Sequence, residues 1–186
     1  MSVLKIAKIG HAVLHQIAEP VVDFKDPKLE TLINDMTETL ADSGGIGLAA
    51  PQVYVSKRIV IFYPPDQMES RNDQNSDKEL TVMLNPKIKP LTSKTNVNWE
   101  ACLSVPNLMG SVERFSDISY SWIDLDGNLQ ERYAHDFHAR VIQHECDHLD
   151  GKLYPMRMKN LKLFGFSEEI NKNLPLLQDG QSNEEN

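Results

Sequence analysis

The sequence predicts an α+β fold, with mainly antiparallel β-sheets packed around a central helix that carries a His-Glu-x-x-His motif. Segments with the pattern of β-strands come first along the chain and the motif helix follows them, an order typical of α+β proteins. A hairpin pattern lies directly before the motif helix and indicates antiparallel neighbours. The length of 186 residues fits one domain with a sizeable core. We assign residues 1–175 to a single domain and expect a disordered tail at 176–186.

The first regular element predicted is an amphipathic helix. Glycine and proline interrupt residues 5–24, so we expect irregular structure there. From Asp26 to about Ser43, apolar residues recur at helical spacing. Asp26 can cap this helix, and Pro27 fits its first turn. Glycines at positions 44, 45 and 47 then end the helix and open a flexible turn.

Three further segments predict β-structure. Residues 57–63 and 81–84 are rich in β-branched and apolar side chains, which favour strands. The polar stretch 66–78 between them predicts a mobile surface loop. Residues 118–133 predict a β-hairpin, because two strand-like runs flank Asp126-Gly127, a sequence typical of tight turns.

The most informative segment is His144-Glu145-Cys146-Asp147-His148. Positions four apart lie on one face of a helix, so the two imidazoles converge on a single point. Glu145 lies beside that face, where its carboxylate can bond a water on a metal without being a ligand itself. Asp136 is a candidate N-cap for this helix and Gly151 a candidate stop. The pattern indicates a metal hydrolase; the alternative is a solvated helix face with two unrelated histidines.

A catalytic site of this kind usually has a third protein ligand, and the sequence offers three kinds of candidate. Glu168 or Glu169, in a short helix expected at 168–172, would give the ligand set of thermolysin-like proteases. A third histidine would complete a longer metalloprotease pattern, but Tyr154 stands at that position. Cys102, as a thiolate, is the remaining candidate.

Composition and charge argue against several classes of function. A net charge of −8 and an isoelectric point near 5.2 are unlike those of a general nucleic-acid-binding protein. The longest apolar runs are far too short to span a bilayer. Two cysteines do not form the pattern of a disulfide framework, and Cys146 should face away from the metal as a small buried residue. We therefore expect a cytoplasmic protein that binds neither DNA nor membranes.

Three segments of the chain are together similar to the three motifs of the peptide deformylase family. Gly45-Ile46-Gly47-Leu48-Ala49-Ala50-Pro51-Gln52 resembles the first motif, Glu100-Ala101-Cys102-Leu103-Ser104 the second, and Gln143-His144-Glu145-Cys146-Asp147-His148 the third. The resemblance extends from the N-terminal segment to about Phe164. It implies a metal-dependent hydrolase, in one catalytic domain, that removes the formyl group from the N-formylmethionine of nascent chains.

The resemblance also implies roles for individual residues. The expected ligands of one divalent metal ion are Cys102, His144 and His148. The resemblance implies Fe²⁺ in the cell, and Zn²⁺, Ni²⁺ or Co²⁺ would suit the same ligands. Glu145 would act as general base and then protonate the departing amine. The side-chain amide of Gln52 and the backbone N–H of Leu103 would stabilise the oxyanion of the tetrahedral intermediate.

An apolar pocket for the methionine side chain is expected beside the motif helix. The residues expected at the substrate site are Ile46, Gly47, Ala101, Phe137, Arg140 (through its aliphatic stem) and Val141. Two positions depart from the family pattern: Ala101 replaces a glycine at the substrate groove, and Met109 replaces an arginine near the peptide backbone. An ion pair between Glu100 and Arg114, which would hold the strand of Cys102, is also implied.

Two other functions remain open from the sequence. One is a zinc endopeptidase with the same histidine motif, which would need a third ligand other than Cys102. The other is a non-catalytic homologue that binds a metal or peptides; Glu145 argues against it, because a structural metal site has no use for a base. For the enzyme, we expect a monomer that acts on N-formylmethionyl nascent chains, with the ribosome as a further candidate partner.

Overall fold

The computed structural model describes residues 2–65 and 80–179, and within 175–179 it describes the backbone. The loop predicted at 66–78 lies outside these ranges. The helices of the described residues are α1 (Pro27–Ser43), α2 (Asp136–Leu149) and α3 (Ser167–Asp179). The strands are β1 (Gly47–Ala49), β2 (Ile59–Phe62), β3 (Thr81–Pro90), β4 (Thr95–Cys102), β5 (Val105–Phe115), β6 (Asp117–Ile123), β7 (Leu129–His135) and β8 (Phe164–Phe166).

The strands form two antiparallel sheets, as the sequence predicts. In the described part of the chain, one sheet has five strands in the order β1-β2-β3-β6-β7 and the other has three in the order β4-β5-β8. Neighbouring strands are antiparallel throughout both sheets. With the three helices, these sheets give a mixed architecture of the predicted α+β kind.

The predictions for helix α1 and for the hairpin are confirmed. The Asp26 side chain accepts a hydrogen bond from the Lys28 N–H, and Gly44 ends the helix with a left-handed φ of 65°. Strands β6 and β7 pair along their whole length across the predicted turn. Both elements depend on local signals, namely apolar spacing, a cap and turn residues.

The strand predictions were incomplete. The strand predicted at 57–63 is shorter, and the one predicted at 81–84 continues to Pro90. Strands β1, β4, β5 and β8 were not predicted. The two long ones, β4 and β5, carry the buried charged residues Glu100 and Arg114, so they lack the alternation of apolar side chains that marks a half-buried strand.

The cap predicted for helix α2 is wrong. The N-cap is His135, which makes no capping bond with its side chain, and Asp136 is already the first helical residue with a φ of 45°. The chain enters this helix directly from β7, because His135 still pairs with Asp117 of β6. At the other end the expected glycine follows the helix. Gly151 has a φ of 68°, and a Cβ at this position would lie 2.8 Å from the carbonyl oxygen of His15.

Helix α3 is longer than the short helix predicted at 168–172. It runs to Asp179 and so extends into the segment for which we expected disorder, while 180–186 lie outside the described residues. The irregular segment predicted at 5–24 contains a short 3-10 turn at Ala12–His15. Among the described residues, no helix is long and apolar enough to cross a membrane.

Strand β2 of the five-stranded sheet is buried on both faces. Val60 and Phe62 of β2 pack in a cluster with α2, whereas Ile59 and Ile61 pack in a cluster with α1. Because side chains alternate along a strand, this two-sided packing buries all four residues of β2. Cys146 belongs to the cluster between α2 and the sheet, as expected for a small buried residue. The packing fixes the orientation of α2 and so of its histidine motif.

Candidate active site

Three potential metal ligands converge where the end of β4 meets α2. Cys102 is the last residue of β4, and His144 and His148 lie about one turn apart on α2. One donor atom of each residue lies within 4.8 Å of the others. The Sγ atom of Cys102 is 3.3 Å from Nε2 of His148. A thiolate with two imidazoles suits Zn²⁺, Fe²⁺, Co²⁺ and Ni²⁺, so this cluster is a possible metal site.

The other candidates for a third ligand do not join this cluster. Glu168 and Glu169 are exposed on α3, where Glu169 accepts a hydrogen bond from Lys172. Tyr154 is buried and stacks on the ring of His144, with 6.2 Å between the ring centroids. Its phenol is a poor ligand while it keeps its proton, and burial raises its pKa further above the usual value.

A buried carboxylate supports the first histidine. Glu100 Oε2 lies 2.8 Å from Nδ1 of His144, which leaves Nε2 of that ring as the atom for a metal. Arg114 donates from Nε and Nη2 to the two Glu100 oxygens, each at 2.9 Å, so the expected ion pair is present. Burial alone would raise the pKa of Glu100, but hydrogen bonds from Arg114 and His144 outweigh it and hold that pKa well below its usual range. Glu100 is therefore an anion that fixes the orientation of the ring.

The charged network continues to Asp147, a motif residue to which the sequence analysis assigned no role. Arg114 donates to Asp147 through Nη1, and Arg157 donates to it through Nε at 3.0 Å. Asp147 thus binds Arg114, which in turn binds Glu100. The contact of Arg157 with Asp147 is not predictable from the sequence, since nothing in the residues around Arg157 marks it as a partner of the motif.

Glu145 is buried beside the cluster with one oxygen unpartnered. The residue is 6% exposed, and within the described part of the chain its Oε2 atom has no hydrogen-bond partner. Burial raises the pKa of this carboxyl to about 7. Gly47 of β1 lies so close that a Cβ there would be 2.6 Å from Glu145 Oε1. A carboxyl with this pKa can both take and return a proton near neutral pH.

The side-chain amide of Gln52 is oriented toward Cys102. Its Oε1 atom accepts a hydrogen bond from the Ala49 N–H at 2.9 Å, so its Nε2 atom faces Sγ of Cys102 at 3.5 Å and Oγ of Ser104 at 3.2 Å. Leu103 lies between Cys102 and Ser104 in the turn to β5 and lines the same cavity as Gln52. The two candidate oxyanion donors thus both border Cys102.

Two backbone hydrogen bonds from the N-terminal segment hold the loops of these donors. The Ala7 N–H donates to the carbonyl of Gln52, and the Ile9 N–H donates to the carbonyl of Ser104, both at 2.7 Å. This role of the N-terminal segment is not predictable from the sequence, because main-chain contacts of irregular structure leave no pattern in the side chains.

A cavity of about 510 Å³ opens beside the possible metal site. All the residues expected at the substrate site line it: Ile46, Gly47, Ala101, Phe137, Arg140 and Val141. Trp99, Leu108 and Ser167, which the sequence analysis did not single out, extend the lining. Met109 is not part of the lining; it pairs with Ala101 across β4 and β5.

Comparison with known sequences gives one family. Residues 3–164 match the family model described as polypeptide deformylase. The chain is 46% identical over 168 residues to peptide deformylase 1 of Bordetella pertussis, and the aligned region covers 89% of this chain and 93% of that protein. It is 47% identical over 165 residues to peptide deformylase 2 of Pseudomonas syringae pv. tomato, and the aligned region covers 88% of this chain and 91% of that protein.

Solved structures give the same result. The class I type b peptide deformylase from Acinetobacter baumannii with Met-Ala-Ser bound superposes with a TM-score of 0.75 and 37% identity, over 85% of this chain and 100% of that one. A structure of the same enzyme with actinonin bound gives a TM-score of 0.74 and 35% identity, over 86% of this chain and 100% of that one.

Proposed function

Because this chain belongs to the polypeptide deformylase family, we propose that the cavity beside Cys102 is where it removes the N-formyl group from formylmethionyl peptides. The protein is a hydrolase, and its reaction splits a linear amide and releases formate. The observation that supports this location best is the convergence of three potential metal ligands beside the buried, partly unpartnered carboxyl of Glu145.

Cys102, His144 and His148 would hold the metal ion. Their donor atoms lie close together, and Glu100 orients the first histidine by its bond to Nδ1. When bound, a divalent ion lowers the pKa of a water ligand and polarises the carbonyl to be attacked. We infer Fe²⁺ as the ion used in the cell, while the same ligands would accept Zn²⁺, Ni²⁺ or Co²⁺.

Glu145 would be the general base and then the general acid. Its Oε2 atom is the unpartnered one, so it can accept the proton of the attacking water. A pKa of about 7 lets the carboxyl give this proton to the departing amine nitrogen in the next step. The residue is only 6% exposed, which limits its contact with bulk water.

Gln52 and Leu103 would stabilise the negative charge that develops on the formyl oxygen. The Gln52 Nε2 and the backbone N–H of Leu103 are the donors. Because Ala49 already holds the Gln52 amide in one orientation, this donor needs little reorganisation during the reaction. Loss of one such donor typically lowers turnover by about a hundredfold or more.

The methionine side chain would occupy the apolar part of the cavity. Its walls would be Ile46, Phe137, Val141 and the stem of Arg140, while Gly47 and Ala101 would border the peptide backbone. Full burial of a methionine side chain contributes about 1.5–3 kcal/mol. The space between Gln52 and Leu103 would admit a formyl hydrogen but not the methyl group of an acetyl.

We also propose a position for helix α2 in the fold and a state for the enzyme in the cell. Helix α2 would be the centre of the fold, which its contacts with β1, β5 and β7 support. The enzyme would act as a cytoplasmic monomer on nascent chains, with the ribosome as a candidate partner. The zinc endopeptidase is less favoured, because Cys102, and neither Glu168 nor Glu169, lies with the two histidines.

Formate release from formyl-Met-Ala-Ser by the metal-loaded protein tests the proposal. We expect kcat/KM for this peptide to exceed that for formyl-Ala-Ala-Ser by about tenfold or more, and acetyl-Met-Ala-Ser to be nearly inert. In the variant Glu145→Gln, turnover should fall by about a hundredfold or more while the metal stays bound, since an amide cannot accept the proton. Equal rates on formyl and acetyl peptides would indicate a broader amidase, and cleavage of internal peptide bonds an endopeptidase; either result would overturn the proposal.

A further inference from the structure

We propose that Arg140 is a positioning residue whose guanidinium sets the spacing between Cys102 and the two histidines. It does so by joining β4, which ends in Cys102, to α2, which carries His144 and His148. This inference rests on the proposed function, because it takes these three residues as the metal ligands. It gives the head of Arg140 a role separate from that of its stem, which lines the cavity.

The head of Arg140 bonds to two strands of the three-stranded sheet. Its side chain is 4% exposed. Nη1 donates to Glu100 Oε1 and to the carbonyl of Val112, both at 2.8 Å, and Nη2 donates to the carbonyl of Asn96 at 2.9 Å. Nη2 also bonds to the side-chain oxygen of Asn96. Nη1 also donates to the carbonyl of Asn98 at 3.5 Å, so one side chain of α2 binds β4 at three residues and β5 at a fourth.

Arg140 also completes the set of donors around Glu100. Oε1 accepts from Arg114 Nε and Arg140 Nη1, and Oε2 accepts from Arg114 Nη2 and His144 Nδ1. The bidentate pair with Arg114 ties the carboxylate to β5. The bond from Arg140 reaches Oε1 from α2, so it links the position of Glu100, and with it the bond from Oε2 to His144, to the helix. Arg140 thereby acts on a ligand ring through Glu100.

A purely stabilising role explains this arginine poorly. Removing a guanidinium from water is costly, and apolar side chains often replace a buried ion pair at no loss of stability. The observed bonds instead concentrate at the two ligand-bearing elements. Arg140 precedes His144 by about one helical turn, and Glu100 precedes Cys102 by two residues on β4. The bond between Arg140 and Glu100 therefore lies close in sequence to both His144 and Cys102.

Two variants of Arg140 and one matched control separate these roles. Arg140→Met keeps an unbranched apolar stem for the cavity wall and removes the guanidinium, whereas Arg140→Lys keeps the charge without the planar fork. Arg58→Met is the control. Arg58 also ties α2 to another segment, through the Leu149 carbonyl at 3.2 Å and Asp150 at 2.9 Å, and these bonds lie at the C-terminal end of the helix. Each protein is prepared free of metal and titrated with Co²⁺, whose visible spectrum reports the geometry of its ligands.

The Co²⁺ forms should differ in spectrum and in release rate. We expect Arg140→Met to shift the visible bands and to release Co²⁺ to a chelator about tenfold faster or more, because partners of ligating histidines typically affect metal affinity to this extent. Arg140→Lys should recover part of both properties, and Arg58→Met should match the wild type. With formyl-Met-Ala-Ser, Arg140→Met should lower kcat while KM stays within about threefold, since the stem still lines the pocket.

A folded Arg140→Met protein with the wild-type Co²⁺ spectrum and release rate would overturn the inference, as would equal changes in Arg58→Met. If Arg140→Met does not fold, the variant Asn96→Ala tests the inference in its place. This variant removes one hold on Nη2 and leaves the bond to Glu100 in place. Its release of Co²⁺ should be faster than in the wild type, and an unchanged rate would overturn the inference. The Co²⁺ measurements do not need formate release, so a failure of the proposed reaction would be seen separately in the wild-type assay.

Discussion

Two residues of the histidine motif, Glu145 and His148, have pKa values shifted in opposite directions by the same apolar surroundings. Burial raises the pKa of Glu145 to about 7, and burial, followed by the nearby His144, lowers the pKa of His148 well below its usual value. The neutral imidazole of His148 is the form that binds metals. The carboxyl of Glu145 has the pKa of a group that exchanges protons near neutral pH. The same burial thus suits the two residues to the two different roles proposed for them.

In the metal-free protein, the raised pKa of Glu145 predicts a loss of stability as the pH rises. The carboxyl holds its proton more tightly in the folded chain than in the unfolded one, so its contribution to stability is fully present below about pH 4.5 and is lost as the pH rises through 7. Between pH 5 and pH 8 this contribution to the free energy of unfolding should fall by about 2–3 kcal/mol. Urea unfolding at pH 5 and pH 8 measures this contribution when the metal-free wild type is compared with Glu145→Gln, which lacks the titrating carboxyl. The difference between their free energies of unfolding should change with pH by the stated amount. A difference that does not vary with pH would contradict the raised pKa.

Among the secondary-structure elements, the short strand β1 has an effect on the site out of proportion to its length. It pairs with β2 at the edge of the five-stranded sheet, and its Gly47 lies against the side chain of Glu145 on α2. The missing side chain at position 47 is what lets the strand approach the helix this closely. The position of the Glu145 carboxyl therefore depends on the contact between two elements and not on α2 alone.

Gly47→Ala should displace the carboxyl of Glu145. The added Cβ would lie 2.6 Å from Oε1 and 2.8 Å from Cδ, so the side chain would have to move. We expect kcat/KM for formyl-Met-Ala-Ser to fall about tenfold or more, because proton transfer depends on close positioning, while the metal content stays unchanged. Gly165→Ala on β8 is the control, since its Cβ would meet Ile170 at an ordinary 3.5 Å. Equal activity of the two variants would show that the contact with β1 does not position Glu145.

The same elements show where prediction from the sequence succeeds and where it fails. Helix α1 and the β6–β7 hairpin were predicted because their signals are local. Strands β4 and β5 were missed because Glu100 and Arg114 face inward and bond to each other, which removes the apolar alternation. The spacing on α2 predicted the histidines, and Cys102 was chosen among open candidates through the family motif. The bonds from Arg140 to Asn96 and Glu100 depend on tertiary packing and have no local signature.

For the molecule as a whole, the possible metal site joins parts that pack in different layers. Cys102 ends a strand of the three-stranded sheet, whereas His144 and His148 lie on the helix that packs against the five-stranded sheet. A metal ion held by all three residues would connect the two sheets through α2. Its binding free energy would then add to the stability of the entire domain.

Removal of the metal should therefore lower the melting temperature of the wild type. An ion that binds only the folded chain stabilises it by about 2.7 kcal/mol at a hundredfold excess over Kd, which corresponds to about 5–10 °C for a domain of this size. Scanning calorimetry before and after treatment with a chelator, and again after Zn²⁺ is added back, measures the shift. Cys102→Ala should hold little metal and show no effect of the chelator, because two imidazoles alone bind weakly. An equal shift in Cys102→Ala would remove Cys102 from the ligand set.

The two main-chain hydrogen bonds made by Ala7 and Ile9 determine which insertions and deletions the protein can tolerate. These residues are two positions apart, and each holds a different loop, that of Gln52 or that of Ser104. Adding or deleting one residue between them would move one anchor by about 3.3 Å relative to the other. Lys8, which lies between them, is exposed, so its side chain is open to replacement. This irregular stretch is therefore constrained in its length more than in its composition, a kind of evolutionary restraint that substitutions alone would not reveal.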